Sequence, residues 1–134
     1  MIDGQGGGLG KALVERIVRE LPGEELVAVG TNALATAAML KAGAAACATG
    51  ENAVVYNCTQ ADVIAGALGI GFANAMHGEI SPAMARAVSE SRALKLLVPV
   101  SRCNVEIIGA SERGVSAQLD EVSARLKALA AELG

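Results

Sequence analysis

The stretch Asp3-Gly4-Gln5-Gly6-Gly7-Gly8-Leu9-Gly10-Lys11 decides how this chain is read, because five of the seven positions 4–10 are glycine. Glycine loses more backbone entropy on folding than any other residue. Such a run therefore persists where the backbone needs positive φ or must come close to a ligand. The next segment is helical by period: Leu9, Ala12, Leu13, Ile17, Val18 and Leu21 share one face, while Lys11, Glu15, Arg16 and Arg19 share the other. Pro22-Gly23 stops it. A helix that opens near Gly8 turns its unbonded N–H groups and the positive end of its dipole toward the glycines. The expected occupant of that space is a phosphate-bearing small molecule.

Working outward, Leu26 to Val29 is a short continuous apolar run, the pattern of a parallel strand buried on both faces. Gly30-Thr31-Asn32 turns the chain and supplies an N-cap for a helix from about Ala33 to Lys41, ended by Gly43. A weak strand is expected from Ala44 to Thr49, whereas Ala53 to Cys58 fits either a helix or a strand. Asp62 to Ala65 reads as a buried strand emptying into Gly66-Ala67-Leu68-Gly69, with a helix expected across Gly71 to Met76. Ser81-Pro82 starts a helix running to about Ser91, Leu94 to Val100 is a strand, Val105 to Ile108 is expected to be another, and Ser116 to Leu133 is an amphipathic closing helix. Strands alternating with helices predict a Rossmann-like three-layer α/β/α arrangement with a mostly parallel sheet, as one domain over residues 1–134. A glycine loop of this kind normally follows four to six apolar strand residues, yet only Met1 and Ile2 precede Asp3. The expectation is a truncated first strand, with a native product that begins upstream.

Composition removes several function classes. With one Tyr, one Phe, no Trp and a net charge of −3, the chain lacks both the stacking aromatics and the basic stripe of a nucleic-acid binder. The longest uncharged runs, Leu26–Leu40 and Val63–Gly78, are shorter than the ~20 apolar residues of a membrane span. Three widely spaced cysteines and no export-type leader predict a cytoplasmic protein with reduced thiols. Between Leu26 and Gly78 the only charged residues are Lys41, Glu51 and Asp62, so this part must be covered, either as core alone or with its Ala-rich helix also forming a homo-oligomer interface.

Which phosphate loop the glycines form is tested by spacing. G-x-G-x-x-G fails because Leu9 stands where the third glycine is needed, while the G-x-x-x-G-x-G variant fits through Gly4, Gly8 and Gly10. The continuation Leu9-Gly10-Lys11-Ala12-Leu13-Val14-Glu15-Arg16 resembles the first loop and helix of short-chain dehydrogenase/reductases, which implies a loop cradling the pyrophosphate of NAD or NADP. Asp62-Val63-Ile64-Ala65-Gly66 is similar to that family's fourth strand. Two departures count against its chemistry. Tyr56 has no lysine four residues on, and Thr31-Asn32 stands where an acid would grip the ribose. Thr31 and Asn32 either bond a ribose or 2′-phosphate or cap the helix. Gly6-Gly7-Gly8-Leu9-Gly10-Lys11-Ala12 is also similar to the deviant P-loop of partitioning ATPases, but Gly6 and Ala12 replace its lysine and its Mg²⁺-holding hydroxyl. The alternative without a ligand is a loop that only permits a tight turn.

In open parallel sheets, ligands bind outside the carboxyl ends of the strands. Those ends bring forward as binding candidates Asp3, Gly4, Gln5, Gly6, Gly7, Gly8, Leu9, Gly10, Thr31, Asn32, Gly66, Arg102 and Asn104. Arg102 can pair with a phosphate, Asn104 can donate to a base, and Asp3 is either a turn residue or a ligand or Mg²⁺ contact. Cys103 is a conceivable nucleophile, and His77 a conceivable base oriented by Glu79 or simply a surface residue. No metal site is expected, since Cys47, Cys58, His77 and Cys103 have no ligand spacing.

Over essentially its full length the chain resembles the bacterial domain-of-unknown-function family 3842. The resemblance lies in Asp3-Gly4-Gln5-Gly6-Gly7-Gly8, the run from Gly30 to Ala44, Thr49-Gly50-Glu51-Asn52-Ala53 and Arg102-Cys103-Asn104. It implies a fold and a pocket and no reaction. The expected role is a binding or sensor module at the Gly4–Gly10 loop. The alternatives are a nucleotide-dependent, oxidoreductase-like enzyme with catalytic residues in the Ser101–Asn104 turn, and a purely structural loop.

Overall fold

Side chains alternate along the buried strands between two separate cores, and that alternation defines the layers. The computed structural model describes residues 1–100, 104–110 and 113–133. Its parallel strands β1 (Ile2–Asp3), β2 (Val27–Gly30) and β3 (Ala46–Thr49) form one sheet, and β4 (Val63–Ala67) pairs in parallel with β5 (Leu94–Val98) in another. β1 is held to β2 by Val29 N–H donating to the Met1 carbonyl (2.7 Å) and Thr31 N–H to the Asp3 carbonyl (2.9 Å). Its other side lies against β4, where a Cβ on Gly66 would come within 2.7 Å of the Ile2 carbonyl oxygen. The strands thus run β3-β2-β1-β4-β5, an order consistent with a Rossmann-like α/β fold.

Met1, Ala28, Ala65 and Val98 face the first core. They meet Leu13, Val14 and Ile17 of α1 (Gly8–Glu20), Met39 of α2 (Ala33–Lys41), and Leu119 and Val122 of α5 (Val115–Leu133). Their neighbours Ile2, Val29 and Ile64 face the second core, with Val54 and Cys58 of α3 (Glu51–Cys58) and Met84 and Val88 of α4 (Pro82–Glu90). A period of two in the strands therefore sorts helices to both faces and produces the expected three layers. Caps match the local sequence: Asn32 Oδ1 accepts from Ala35 N–H and Ser81 Oγ from Met84 N–H, with Pro82 at the first helical position.

Three expectations need revision. The ambiguous Ala53–Cys58 stretch is helical and starts earlier, at Glu51, after Gly50 at φ 102°. No helix spans Gly71 to Met76; a 3₁₀ turn over Leu68–Gly71 passes into successive turns, with Asn74, Met76 and His77 all at positive φ. A run of left-handed residues cannot continue a right-handed helix. Val105 to Ile108 forms no strand. Its four apolar or mixed residues find no pairing partner, Ile108 is 88% exposed, and Gly109 turns the chain at φ 87°. The charge-poor middle is covered only in part: β2 and β4 are largely buried, but Leu34 and Leu40 on the outer side of α2 are 69% and 56% exposed. Among the described residues, no helix is long and apolar enough to cross a membrane.

Candidate functional site

Asp3 ends β1 inside the protein, and both of its carboxylate oxygens are used to shape the glycine loop. Oδ1 accepts from Gly4 N–H (2.9 Å) and Oδ2 from Gly10 N–H (2.6 Å). Burial pushes its carboxyl above the usual range and the nearby Glu79 adds to this, against the pull of the two amides.

The five glycines then separate by cause. A Cβ on Gly4 would sit 2.7 Å from Thr31 Oγ1 and 2.8 Å from Met76 Sδ, and one on Gly10 would sit 2.7 Å from Met39 Sδ and 2.8 Å from Asp3 Cβ. Gly7 caps α1 at φ 76°, and a Cβ there would approach Ala35 Cα to 2.8 Å. Packing and conformation therefore account for Gly4, Gly7 and Gly10. Neither accounts for Gly6 and Gly8, which lie outside the left-handed region and would place a Cβ in open space. Among the described residues, the N–H groups of Gly6, Gly8 and Leu9 have no protein acceptor, and the N-cap of α1 has no side-chain bond.

These groups face a cleft of about 800 Å³. Its walls are Asp3 to Leu9 on one side and Ala67, the segment Phe72 to His77, Val100 and Asn104 on the other. The described non-glycine residues at positive φ are Gln5, Asn74, Met76, His77 and Asn104, and all five line it. Unfavourable backbone conformations of this kind gather at functional sites.

Behind the loop stands Glu79. Its Oε1 accepts from Gln5 N–H (2.8 Å), Thr31 Oγ1 (2.7 Å) and Asn32 Nδ2 (2.7 Å), and Asn32 Nδ2 also donates to the Gln5 carbonyl (3.0 Å). Burial alone would raise its carboxyl, but these three donors together with nearby His77 hold it below the ordinary value.

Of the residues expected at the site, Asp3 to Leu9 and Asn104 come together at the cleft, while Gly10 packs beneath the loop. Thr31 and Asn32 do not line it: they hold Glu79, and Asn32 also caps α2. Gly66 is buried in β4 against β1, and its neighbour Ala67 reaches the cleft instead. Ser101, Arg102 and Cys103 lie outside the described residues. His77 lines the cleft and is exposed, but no hydrogen bond joins it to Glu79, so the base-and-orienter pair is not formed. Cys58 is buried, which pushes its thiol up and makes it unreactive. Among the described residues, no group of three His, Cys, Asp or Glu is placed to hold a metal.

Sequence reasoning missed Phe72 to Met76 as a cleft wall and Glu79 as a ligand of the loop. One signal was there: Glu79 is the first charged residue after Asp62, closing a sixteen-residue stretch without charge. A second groove, of about 740 Å³, runs between β5 and α5 away from the glycines, walled mostly by aliphatic residues such as Leu96, Val98 and Val122.

No curated protein and no solved structure matches the chain. A family profile described as "Domain of unknown function (DUF3842)" matches residues 1–131, which includes the loop, the cleft walls and Glu79. That match covers nearly the whole sequence, and the chain belongs to the DUF3842 family.

Proposed function

We propose that this protein is a binding or sensor module that takes a phosphate-bearing small molecule at the glycine loop, with NAD or NADP as the first choice. The observation that carries this reading is Gly6 and Gly8. Each is a glycine that neither φ nor any neighbour requires, and each lines the cleft. At a position whose backbone alanine can adopt without strain, glycine lowers stability relative to alanine by about 0.4–1 kcal/mol, chiefly through the freedom of the unfolded chain. Keeping it there makes sense if a ligand must approach the backbone. Among the described residues the N–H groups of Gly6, Gly8 and Leu9, at and just before the start of α1, have no acceptor, and they are the donors a phosphate would use. The alternative, an enzyme drawing on the Ser101–Asn104 turn, is supported among the described residues by Asn104 alone, which lines the same cleft.

The test is a thermal-shift series with NAD, NADP, ATP with and without Mg²⁺, FAD and inorganic phosphate. A ligand at a hundred times its Kd adds about 2.7 kcal/mol, which for a chain of this length is a rise in Tm of roughly 10 °C. Saturable stabilisation by a dinucleotide supports the reading. A flat response to every compound refutes it and leaves the loop as a packing device.

A further inference from the structure

The carboxylate missing from the end of β2 in the sequence is present there in space. Glu79, arriving from the segment before α4, is fixed at that end by Thr31 and Asn32, the two residues that follow β2. All three hydrogen bonds it receives fall on Oε1; among the described residues no donor reaches Oε2 and no Lys or Arg pairs with the group. Asn32 cannot readily turn away, since its Oδ1 caps α2 by accepting from Ala35 N–H at 2.8 Å. Gly4 is kept small on this side, because a Cβ would come within 3.1 Å of Glu79 Oε1. The tip of β2 therefore presents a held, ionised carboxylate, with one oxygen unused among the described residues, just outside the cleft lining. Such a group accepts hydrogen bonds from a hydroxyl and repels an anion.

We propose that Glu79 sets the specificity of the site at its β2 end: it accepts from a neutral, hydroxyl-bearing group such as a ribose and excludes a second phosphate. This rests on the reading of the glycine loop as a phosphate site. Glu79 does not line the cleft, so it acts on a ligand long enough to pass from the amides of Gly6, Gly8 and Leu9 over the loop to the β2 end, where Thr31 and Asn32 hold the carboxylate. Negative charge there works against one class of ligand as much as contact works for another.

NAD and NADP differ by one phosphate on a ribose and are the probes. Their Kd values are measured by calorimetric titration of the whole chain, native and Glu79→Gln. The glutamine keeps an acceptor for Gln5, Thr31 and Asn32, and a melting curve confirms folding. The native protein should prefer NAD by at least about tenfold, and Glu79→Gln should shrink that preference to within about threefold. The ratio is insensitive to general loss of structure, which weakens both ligands alike. Equal binding of the two by the native protein, or an unchanged ratio in Glu79→Gln, overturns the proposal. Binding of neither also overturns it. Inorganic pyrophosphate titrated in the same series then separates the two readings: if it binds, the glycine-loop reading stands, and if it does not, both fall.

Discussion

Replacing Gly8 with alanine should make the protein more stable and its ligand site worse. Gly8 is the exposed first residue of α1, its φ lies outside the left-handed region, and a Cβ there meets nothing within 4 Å. At such a position alanine stabilises by about 0.4–1 kcal/mol, chiefly by narrowing the unfolded ensemble. With an unfolding entropy of about 2.1 cal/mol/K per residue, that is a rise in Tm of roughly 1–4 °C for this chain. Gly10, two residues further along the same helix, provides the contrast. Its Cβ would lie 2.8 Å from Asp3 Cβ and 2.7 Å from Met39 Sδ, inside the contact between α1 and β1. Overpacking of that kind costs about 1–3 kcal/mol, so Gly10→Ala should melt roughly 4–10 °C lower. Calorimetric melting of both variants, with and without the dinucleotide, reads stability and binding together. Gly8→Ala should melt higher while losing most of the ligand-induced shift. If it melts lower, the glycine serves the fold. If it melts higher with the ligand response intact, no ligand needs the space, and the argument from Gly6 and Gly8 fails.

Two further outcomes follow from the bonds behind the loop. Asn32→Ala removes the cap of α2 together with the donor to Glu79 and the Gln5 carbonyl, so it should cost about 1–3 kcal/mol in urea unfolding. Ser81→Ala, which removes the cap of α4 and a single bond to Glu51, should cost about 1 kcal/mol; equal losses would show that the Asn32 bonds to the loop contribute nothing. Because Glu79 is held below its ordinary value of 4.5 in the folded protein, its contribution to stability is present above that pH. It is lost as the pH falls through the folded value. The stability difference between native protein and Glu79→Gln should therefore shrink on acidification below 4.5, and a difference independent of pH would refute the ionised, hydrogen-bonded carboxylate.

Much of the architecture is legible in the sequence because its causes are local. The helical period from Leu9 to Leu21, the Asn32 and Ser81 caps, and the apolar runs of β2, β4 and β5 each depend on residues within one or two turns of each other. The failures share the opposite character. Val105 to Ile108 has the composition of a strand, but a strand exists only with a partner. Gly71 to Met76 has helix-compatible residues, yet the chain takes left-handed turns there as it folds over the loop, with Ala75 buried in the second core.

The candidate site divides along the same line. The sequence by itself determined that a glycine-rich strand-to-helix turn opens α1, because five glycines in seven positions and the helical period after them are properties of consecutive residues. It could not say which of those glycines serve packing, since the atoms that crowd Gly4, Gly7 and Gly10 come from residues 3, 31, 35, 38, 39, 76 and 79. Nor could it place Glu79, whose carboxylate is held by donors 47 to 74 positions away in the chain. Only the tertiary structure decided those points, because steric room and hydrogen-bond partnership are set by atoms that meet in space after folding, whatever their separation along the chain.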